Sequence, residues 1–482
     1  MEGIKMSNQI NWTEEVLKRK EQIIKDTQAF LQIKSVLDED DATSQAPLGH
    51  GIDQALKFML NKGQNDGFTV KNVDGLAGHI EFGEGPELLG ILCHVDVVPE
   101  GDGWTSDPYS AEIRDGKIFA RGAIDDKGPT MAAYYALKIV KELGLSVKKR
   151  VRMILGTDEE SNWRCVDHYF KNEEMPTIGF APDADFPIIN AEKGIFDFIL
   201  EQNGGEQNEN ESTAVLEMLQ AGRRLNMVPD LAEASMLCRT KAEAEQIQNS
   251  FEQYIKNNNL TGAAIIKESN LQLRLEGISA HGMEPNKGRN AGLLLNRFLH
   301  HSLLDALDKK ARTFISFVQQ YFGEDSRGKA LGIAYEDEIS GELTINNGTL
   351  SYSKDEGGKI GLNLRYPVTH DIEPSKRKIK EVSENRNFTC KEISDSKPHH
   401  VDEQHPLIKV LQKVYEEQTG EKAELIAIGG GTYARSLDAG VAFGPLFPGR
   451  PDVAHQKDEH IEIEDLLKAT AIYAQAIYEL TK

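Results

Sequence analysis

Apolar residues follow two different textures along this chain, and the change between them divides it. Within the first 190 residues they occur in runs. Leu88 to Val98 and Val151 to Leu155, the latter closed by Gly156, read as buried strands, because a strand covered on both faces loses its polar alternation. Between them Met131, Tyr134, Leu137, Val140 and Leu143 recur at helical spacing. That helix opens at Gly128-Pro129, where proline is tolerated in a first turn, and stops at Gly144. A strand, a helix and a strand imply parallel pairing, and open parallel sheets bind ligands beyond the carboxyl ends of their strands. A longer helix is predicted from about Asn11, an N-cap with Glu14 three residues on, carrying Val16, Ile23, Phe30 and Leu31 toward a core.

From residue 191 to residue 379 the pattern changes to alternation, as in Gly194 to Gln202, with loops rich in Asn and Gly and a helical stretch around Ala291 to Leu307. Residues 380–482 return to the first texture, with a helix over Pro406 to Glu417, the apolar stretch Leu425 to Ile428 and a terminal helix from about Glu464. The prediction is an α/β protein: a mostly parallel sheet flanked by helices, built discontinuously from 1–190 and 380–482, with an inserted α+β lid domain at 191–379. No internal repeat of fixed period is visible.

The chain of 482 residues carries a formal charge of -22, which opposes binding to nucleic-acid phosphates or anionic membrane surfaces and favours small-molecule or peptide partners. No run is long and apolar enough to span a bilayer, and the opening MEGIKMSNQINW has no secretory apolar stretch, so a cytoplasmic location is expected. Cys93, Cys165, Cys238 and Cys390 have no paired spacing, which argues against a disulfide framework or a cysteine zinc site.

Chemistry gathers at the ends of the predicted strands. In Cys93-His94-Val95-Asp96, alternation puts His94 and Asp96 on one face, so that the carboxylate can orient the imidazole, and His94 is the better metal ligand. Asp125 and Asp126 are adjacent and cannot both point inward from a regular element. Asp125 is read as a carboxylate bridging two cations, which lessens their repulsion and fixes their spacing. Glu159 and Glu160 follow an apolar strand; Glu160 would hold the second metal and leave Glu159 free as general base. Asp183, after Pro182, and His455 complete the set, since two metals sharing one aspartate need about two more protein ligands each and room for water.

These segments, in this order, resemble the co-catalytic zinc metallopeptidases related to carboxypeptidase G, the aminoacylases and the carnosinases. His94-Val95-Asp96-Val97-Val98-Pro99, Trp104, Asp107-Pro108, Asp115-Gly116, Arg121-Gly122 and Asp125-Asp126-Lys127-Gly128 are similar to two linked signatures of that family. Thr157-Asp158-Glu159-Glu160-Ser161-Asn162-Trp163, Pro182 to Pro187 and the large insertion resemble the PepV-type dipeptidases in particular.

The resemblance implies one metal on His94, Asp125 and Asp183, the other on Asp125, Glu160 and His455, and Glu159 as base. It adds His281, in Gly277-Ile278-Ser279-Ala280-His281-Gly282, as the group stabilising the oxyanion, and Asn226 and Arg365 as residues holding the substrate, the arginine gripping its terminal carboxylate. It further implies a dipeptide as the partner, two divalent ions (zinc first, manganese or cobalt as alternatives), a lid of two subdomains and a monomer. Read without the resemblance, His281 and Arg365 are ordinary loop and strand residues. An N-acyl amino acid deacylase or carboxypeptidase on the same scaffold is the nearest rival, disfavoured by aspartate rather than glutamate at 183. A non-catalytic metal- or peptide-binding protein is a rival of another kind, disfavoured by the presence of Glu159. Gly429-Gly430-Gly431-Thr432 lacks the lysine and spacing of a phosphate loop and reads as a substrate-lining turn.

Overall fold

In the computed structural model, which describes residues 10–204 and 213–482, the apolar run after Glu87 becomes the strand Leu88–His94, with every residue buried. Burial on both faces explains its uniform composition. The opening residues 1–9, on which the reading of the amino-terminal segment partly rests, lie outside the described residues. The chain divides into two units. The first comprises Met1–Ala191, His400–Ile426 and Gly431–Lys482, and the second Glu192–His399 with Ala427–Gly430.

In the first unit the sheet runs in the order Thr69–Val73, Ala77–Phe82, Arg150–Gly156, Leu88–His94, Ile178–Ala181, Gly440–Ala442 and Ile188–Glu192. Of these seven strands only the four from Arg150–Gly156 to Gly440–Ala442 are mutually parallel; those on either side of them pair antiparallel. The expected "mostly parallel" sheet is therefore a parallel centre with antiparallel edges. For the outermost pair, Thr69–Val73 with Ala77–Phe82, the reason is local: Asp74 and Gly75, both at positive φ, turn the chain back within a tight hairpin that no crossover helix could span. The helix Lys127–Glu142 supplies the predicted parallel crossover and packs against the terminal helix Ile463–Thr481.

The first predicted helix is two helices, Trp12–Leu17 and Lys20–Leu31. Asn11 caps the first by accepting from the Glu14 amide at 3.1 Å, and Arg19 ends it by donating to the Glu15 carbonyl at 2.7 Å.

In the second unit eight strands form one antiparallel sheet. Its order is Thr261–Lys267, Asn270–Glu276, Leu231–Cys238, Ala214–Ala221, Thr344–Ser353, Gly357–Tyr366, Gly194–Gln202, Phe388–Ser396. Along Asn270–Glu276 exposed and buried residues alternate strictly, the mark of a sheet with one face on its helices and one face outward. The carboxyl boundary falls near residue 399, not 380. The strand Phe388–Ser396 is half exposed and weakly patterned, and it belongs with the insert because it pairs along Gly194–Gln202.

Candidate metal centre

Three neighbouring parallel strands, Arg150–Gly156, Leu88–His94 and Ile178–Ala181, end side by side, and each delivers ligands at or just past its carboxyl end. His94 is the last residue of its strand, Glu159 and Glu160 follow Gly156 within four residues, and Asp183 stands two beyond Ala181. Asp125 comes from the turn before the helix Lys127–Glu142. His455 comes from a late loop in which its φ of +61° is one that non-glycine residues adopt reluctantly.

Asp125 divides its carboxylate between two imidazoles. Oδ1 lies 3.0 Å from His94 Nε2 and Oδ2 lies 3.0 Å from His455 Nε2. His94 Nε2 is also 3.6 Å from Asp183 Oδ1, and His455 Nε2 is 3.0 Å from Glu160 Oε1. Two groups bound about 2.0–2.1 Å from one tetrahedral ion stand about 3.3 Å apart, so these separations suit two ions sharing Asp125. Glu159 reaches the same place, its carboxylate grouping with His94 and Asp183 within 4.8 Å.

The electrostatics point the same way. Burial, then the charge of Asp125, pushes Glu160 up to about 7. Burial, partly countered by His94, raises Asp183 to about 6. Glu159 is raised well above the usual range by burial and then by Asp183. Asp125 goes the other way: burial opposes its charge, but hydrogen bonds from His455 and His94 hold it below the usual range. Four carboxylates this close resist ionising together, and multivalent cations relieve that repulsion. The residues present fit a pair of divalent ions.

The surroundings set the ligands. His94 is fully buried, and its Nδ1 donates to the Asp96 carbonyl at 3.0 Å, so Nε2 turns its lone pair toward Asp125 and Asp183. The Asp96 carboxylate, expected to orient that ring, lies 3.5 Å from Nδ1 and accepts from the Glu160 amide at 3.0 Å, joining two ligand segments. Asp126 faces the protein, accepting from the His94 amide at 3.1 Å and from Thr130 Oγ1 at 3.0 Å. His455 stays open to solvent, with 52% of its side chain exposed, which leaves the centre an approach for substrate.

Two supports have no signal in the sequence pattern. Glu459 is fully buried; its Oε1 accepts from the amides of Ile124 at 3.0 Å and Asp125 at 3.2 Å, while Oε2 pairs with Arg121. Tyr433 packs edge-on against His94, ring centres 6.0 Å apart, and a Cβ at Gly156 would strike its hydroxyl.

The other candidates, Asn226, His281 and Arg365, belong to the second unit, where backbone contacts join Asn226 with His281 and the charge of Arg365 acts on the His281 ring. The Gly282 amide donates to the Asn226 carbonyl at 2.7 Å, Met227 and His281 form an antiparallel bridge, and Val228 N–H reaches the Ala280 carbonyl at 2.8 Å. His281 Nδ1 accepts from the Met283 amide at 3.2 Å. Partial burial, then the charge of Arg365, lowers the pKa of His281 and favours the neutral ring, in which Nε2 carries the proton. Arg365, buried, donates from Nε to Asn363 Oδ1 at 2.8 Å and from Nη1 to the Gly429 carbonyl at 3.0 Å.

An aspartate shared between two clusters of a histidine and a carboxylate, at the carboxyl ends of parallel strands, is the arrangement that suits a two-metal hydrolase. Comparison with known proteins gives the family. Residues 90–479 match the model of peptidase family M20/M25/M40, and the chain belongs to that family. It is 59% identical over 473 residues to a Bacillus subtilis (strain 168) protein named "Putative dipeptidase YtjP", covering 98% of this chain and 100% of the relative. A Staphylococcus epidermidis protein described in the same words is 45% identical over 469 residues, 97% of this chain and 99% of the relative. Human carnosine dipeptidase 1 has the same fold with a TM-score of 0.56 at 14% identity, over 97% of this chain and 98% of that one. The resemblance drawn from the motifs is borne out at the level of the family, as is the mixed α/β fold.

Proposed function

We propose that this protein is a two-metal dipeptidase of the PepV type, hydrolysing unblocked dipeptides. The observation that carries this reading is the division of the Asp125 carboxylate between His94 and His455, each with a further carboxylate beside it. His94, Asp125 and Asp183 would hold one ion, and Asp125, Glu160 and His455 the other. Zinc is the ion we assign, with manganese or cobalt able to take its place. Divalent ions there supply a water acidic enough to ionise near neutral pH and polarisation of the scissile carbonyl.

Glu159, whose affinity for a proton is raised by burial and by Asp183, takes a proton from the attacking water and passes it to the departing amine. As the water oxygen bonds to the carbonyl carbon, His281 donates from Nε2 to the developing oxyanion. Collapse of the tetrahedral species then breaks the C–N bond. Asn226 holds the substrate, and the planar fork of Arg365 grips its terminal carboxylate. The roles in the second unit rest on the family resemblance and, for Asn226 and His281, on the backbone contacts that join them. Free, unpaired cysteines, three of them buried, suit a reducing cytoplasm, and we assign the working form as a monomer, which sedimentation at about the 53.6 kDa mass of one chain tests.

The test is hydrolysis of free dipeptides, an N-acetylated dipeptide, a tripeptide and a dipeptide amide by chelator-stripped protein resupplied with zinc or manganese. Cleavage of free dipeptides alone is expected. Preference for the acetylated compound would move the protein to the deacylases, and binding without cleavage under either metal would overturn the enzymatic reading.

A further inference from the structure

The strand Thr344–Ser353 breaks register with Gly357–Tyr366 between Asn347 and Thr349. Such a bulge re-aims the side chains beside it and is common next to functional sites. Here it forms a seat. The carbonyls of Arg224 and Leu225 press so closely on Gly348 that a Cβ there would collide with them, so glycine is required for the loop to settle. Beside it Asn346, 1% exposed, sends both protons of one amide nitrogen into that loop. Nδ2 donates to the Leu225 carbonyl at 2.7 Å and to the Met227 carbonyl at 2.9 Å, the two carbonyls that flank Asn226. Asn346 Oδ1 has no partner among the described residues, so these two carbonyls alone orient the amide.

The chain of contacts continues to the second substrate residue. The Asn226 carbonyl receives the Gly282 amide, and Met227 bridges to His281, so a shift of residues 225–227 moves both side chains together. The same strand pair carries Arg365: Thr344 stands opposite Arg365, and Asn346 stands opposite Asn363, whose Oδ1 holds the Arg365 Nε. Asn226 and His281 lie at the surface of the unit, where a loop without such anchorage would be free to wander.

We infer that Asn346 is a positioning residue: by clamping the carbonyls on either side of Asn226 it fixes the orientation of Asn226, and through Gly282 that of His281. The inference rests on the reading of Asn226 and His281 as substrate-handling groups. Asn346 touches no substrate; it sets where those that do are held. A displacement of about 1 Å in such groups costs on the order of 100-fold in rate.

The experiment is a double-mutant cycle on the full-length, metal-loaded protein with a free dipeptide, using Asn346→Asp, Asn226→Ala and the pair. Asn346→Asp keeps volume and removes the two amide donors. The expected result is a fall in kcat/KM of about 100-fold, a clearly smaller further loss when Asn346→Asp is added to Asn226→Ala, because only the displacement of His281 is then left to lose, and metal content unchanged at two ions per chain by elemental analysis. If Asn226→Ala is damaging while Asn346→Asp is harmless, or if the two losses multiply, the clamp is wrong. If Asn226→Ala itself has no effect, the role given to Asn226 fails instead. Should Asn346→Asp not fold, hydrogen exchange in the unaltered protein decides. The Gly282 and Val228 amides are expected to exchange at least 100-fold slower than free peptide, and exchange at the free rate overturns the clamp.

Discussion

Replacing Glu459 by alanine removes three interactions from a site with no access to water. Glu459 and Arg121 are 0% and 1% exposed, and Oε1 of the same carboxylate also caps the amides of Ile124 and Asp125. Breaking a buried pair from one side leaves a guanidinium uncompensated, which costs about 3–5 kcal/mol. Arg121 keeps some consolation from the Glu100 carbonyl at 3.2 Å and from the Trp104 ring 5.3 Å away, so the lower half of that range is expected. Glu459→Gln keeps an acceptor for the two amides but presents no charge to Arg121, and a loss between zero and the alanine value follows.

The assay is convenient because the three tryptophans, Trp12, Trp104 and Trp163, all lie in the first unit. Urea unfolding followed by tryptophan fluorescence with excess chelator therefore reports that unit, and chelation removes any contribution of bound metal. The cycle with Arg121→Met and the double variant should give a coupling of at least about 1.5 kcal/mol. A Glu459→Ala loss under about 1 kcal/mol, or strictly additive losses, would refute the argument that this pair fixes the turn carrying Asp125. Because the Asp125 amide is one of the groups released, weaker metal binding should accompany the stability loss.

Three further outcomes are expected. Glu159→Gln should retain both metals while kcat falls about 10²–10⁴-fold, and near-normal turnover would remove Glu159 as the base. Arg365→Lys keeps the charge but loses the planar fork; kcat/KM for free dipeptides should fall about tenfold or more with both metals retained, and an unchanged kcat/KM would end its role as carboxylate clamp. His79, 4% exposed, accepts from the Tyr169 hydroxyl at 2.8 Å, and burial followed by the charge of Arg152 lowers it from an ordinary 6.5 to about 4. Its neutral form stabilises the fold above pH 6.5, and that stability, roughly 3 kcal/mol at most, is lost as pH falls from 6.5 toward 4. In the same fluorescence assay His79→Gln should flatten the slope over that window, and parallel curves for parent and variant would refute it.

Much of the scaffold could be read from periodicity because burial on both faces or on one leaves different traces. Leu88–His94 is apolar up to its last residue and central, and Gly194–Gln202 alternates between a buried and a partly exposed face. What could not be read was pairing that depends on distant partners. Phe388–Ser396 carries Glu, Ser and Asp on both sides of its plane, so nothing in it betrays a strand of the inserted sheet; the alternating Gly194–Gln202 on which it lies supplies the missing order. Likewise the break at Lys18 and Arg19 interrupts an intact helical pattern, since it is made by a guanidinium returning to a carbonyl and not by a helix-breaking residue.

The site divides along a similar line. His94, Asp125, Glu159, Glu160, Asp183 and His455 were legible because metal and proton chemistry restrict the choice of side chain, and strand ends restrict the place. Glu459 uses the same carboxylate chemistry but sits among Asp452, Asp458 and Glu462 in an acidic loop, with no local feature to separate it from residues that only face water. Asn346 is one of two adjacent asparagines in a strand, and only the register break at Gly348 decides which of them reaches Leu225 and Met227. Side chains that meet a reacting group are chosen by chemistry, which a sequence displays. Those that hold them are chosen by the direction of a backbone carbonyl or amide, and that direction exists only after the chain has folded. Positioning residues such as Glu459 and Asn346 are therefore found from hydrogen-bond partners, and the two cycles above measure how much of the stability depends on the first and how much of the activity on the second.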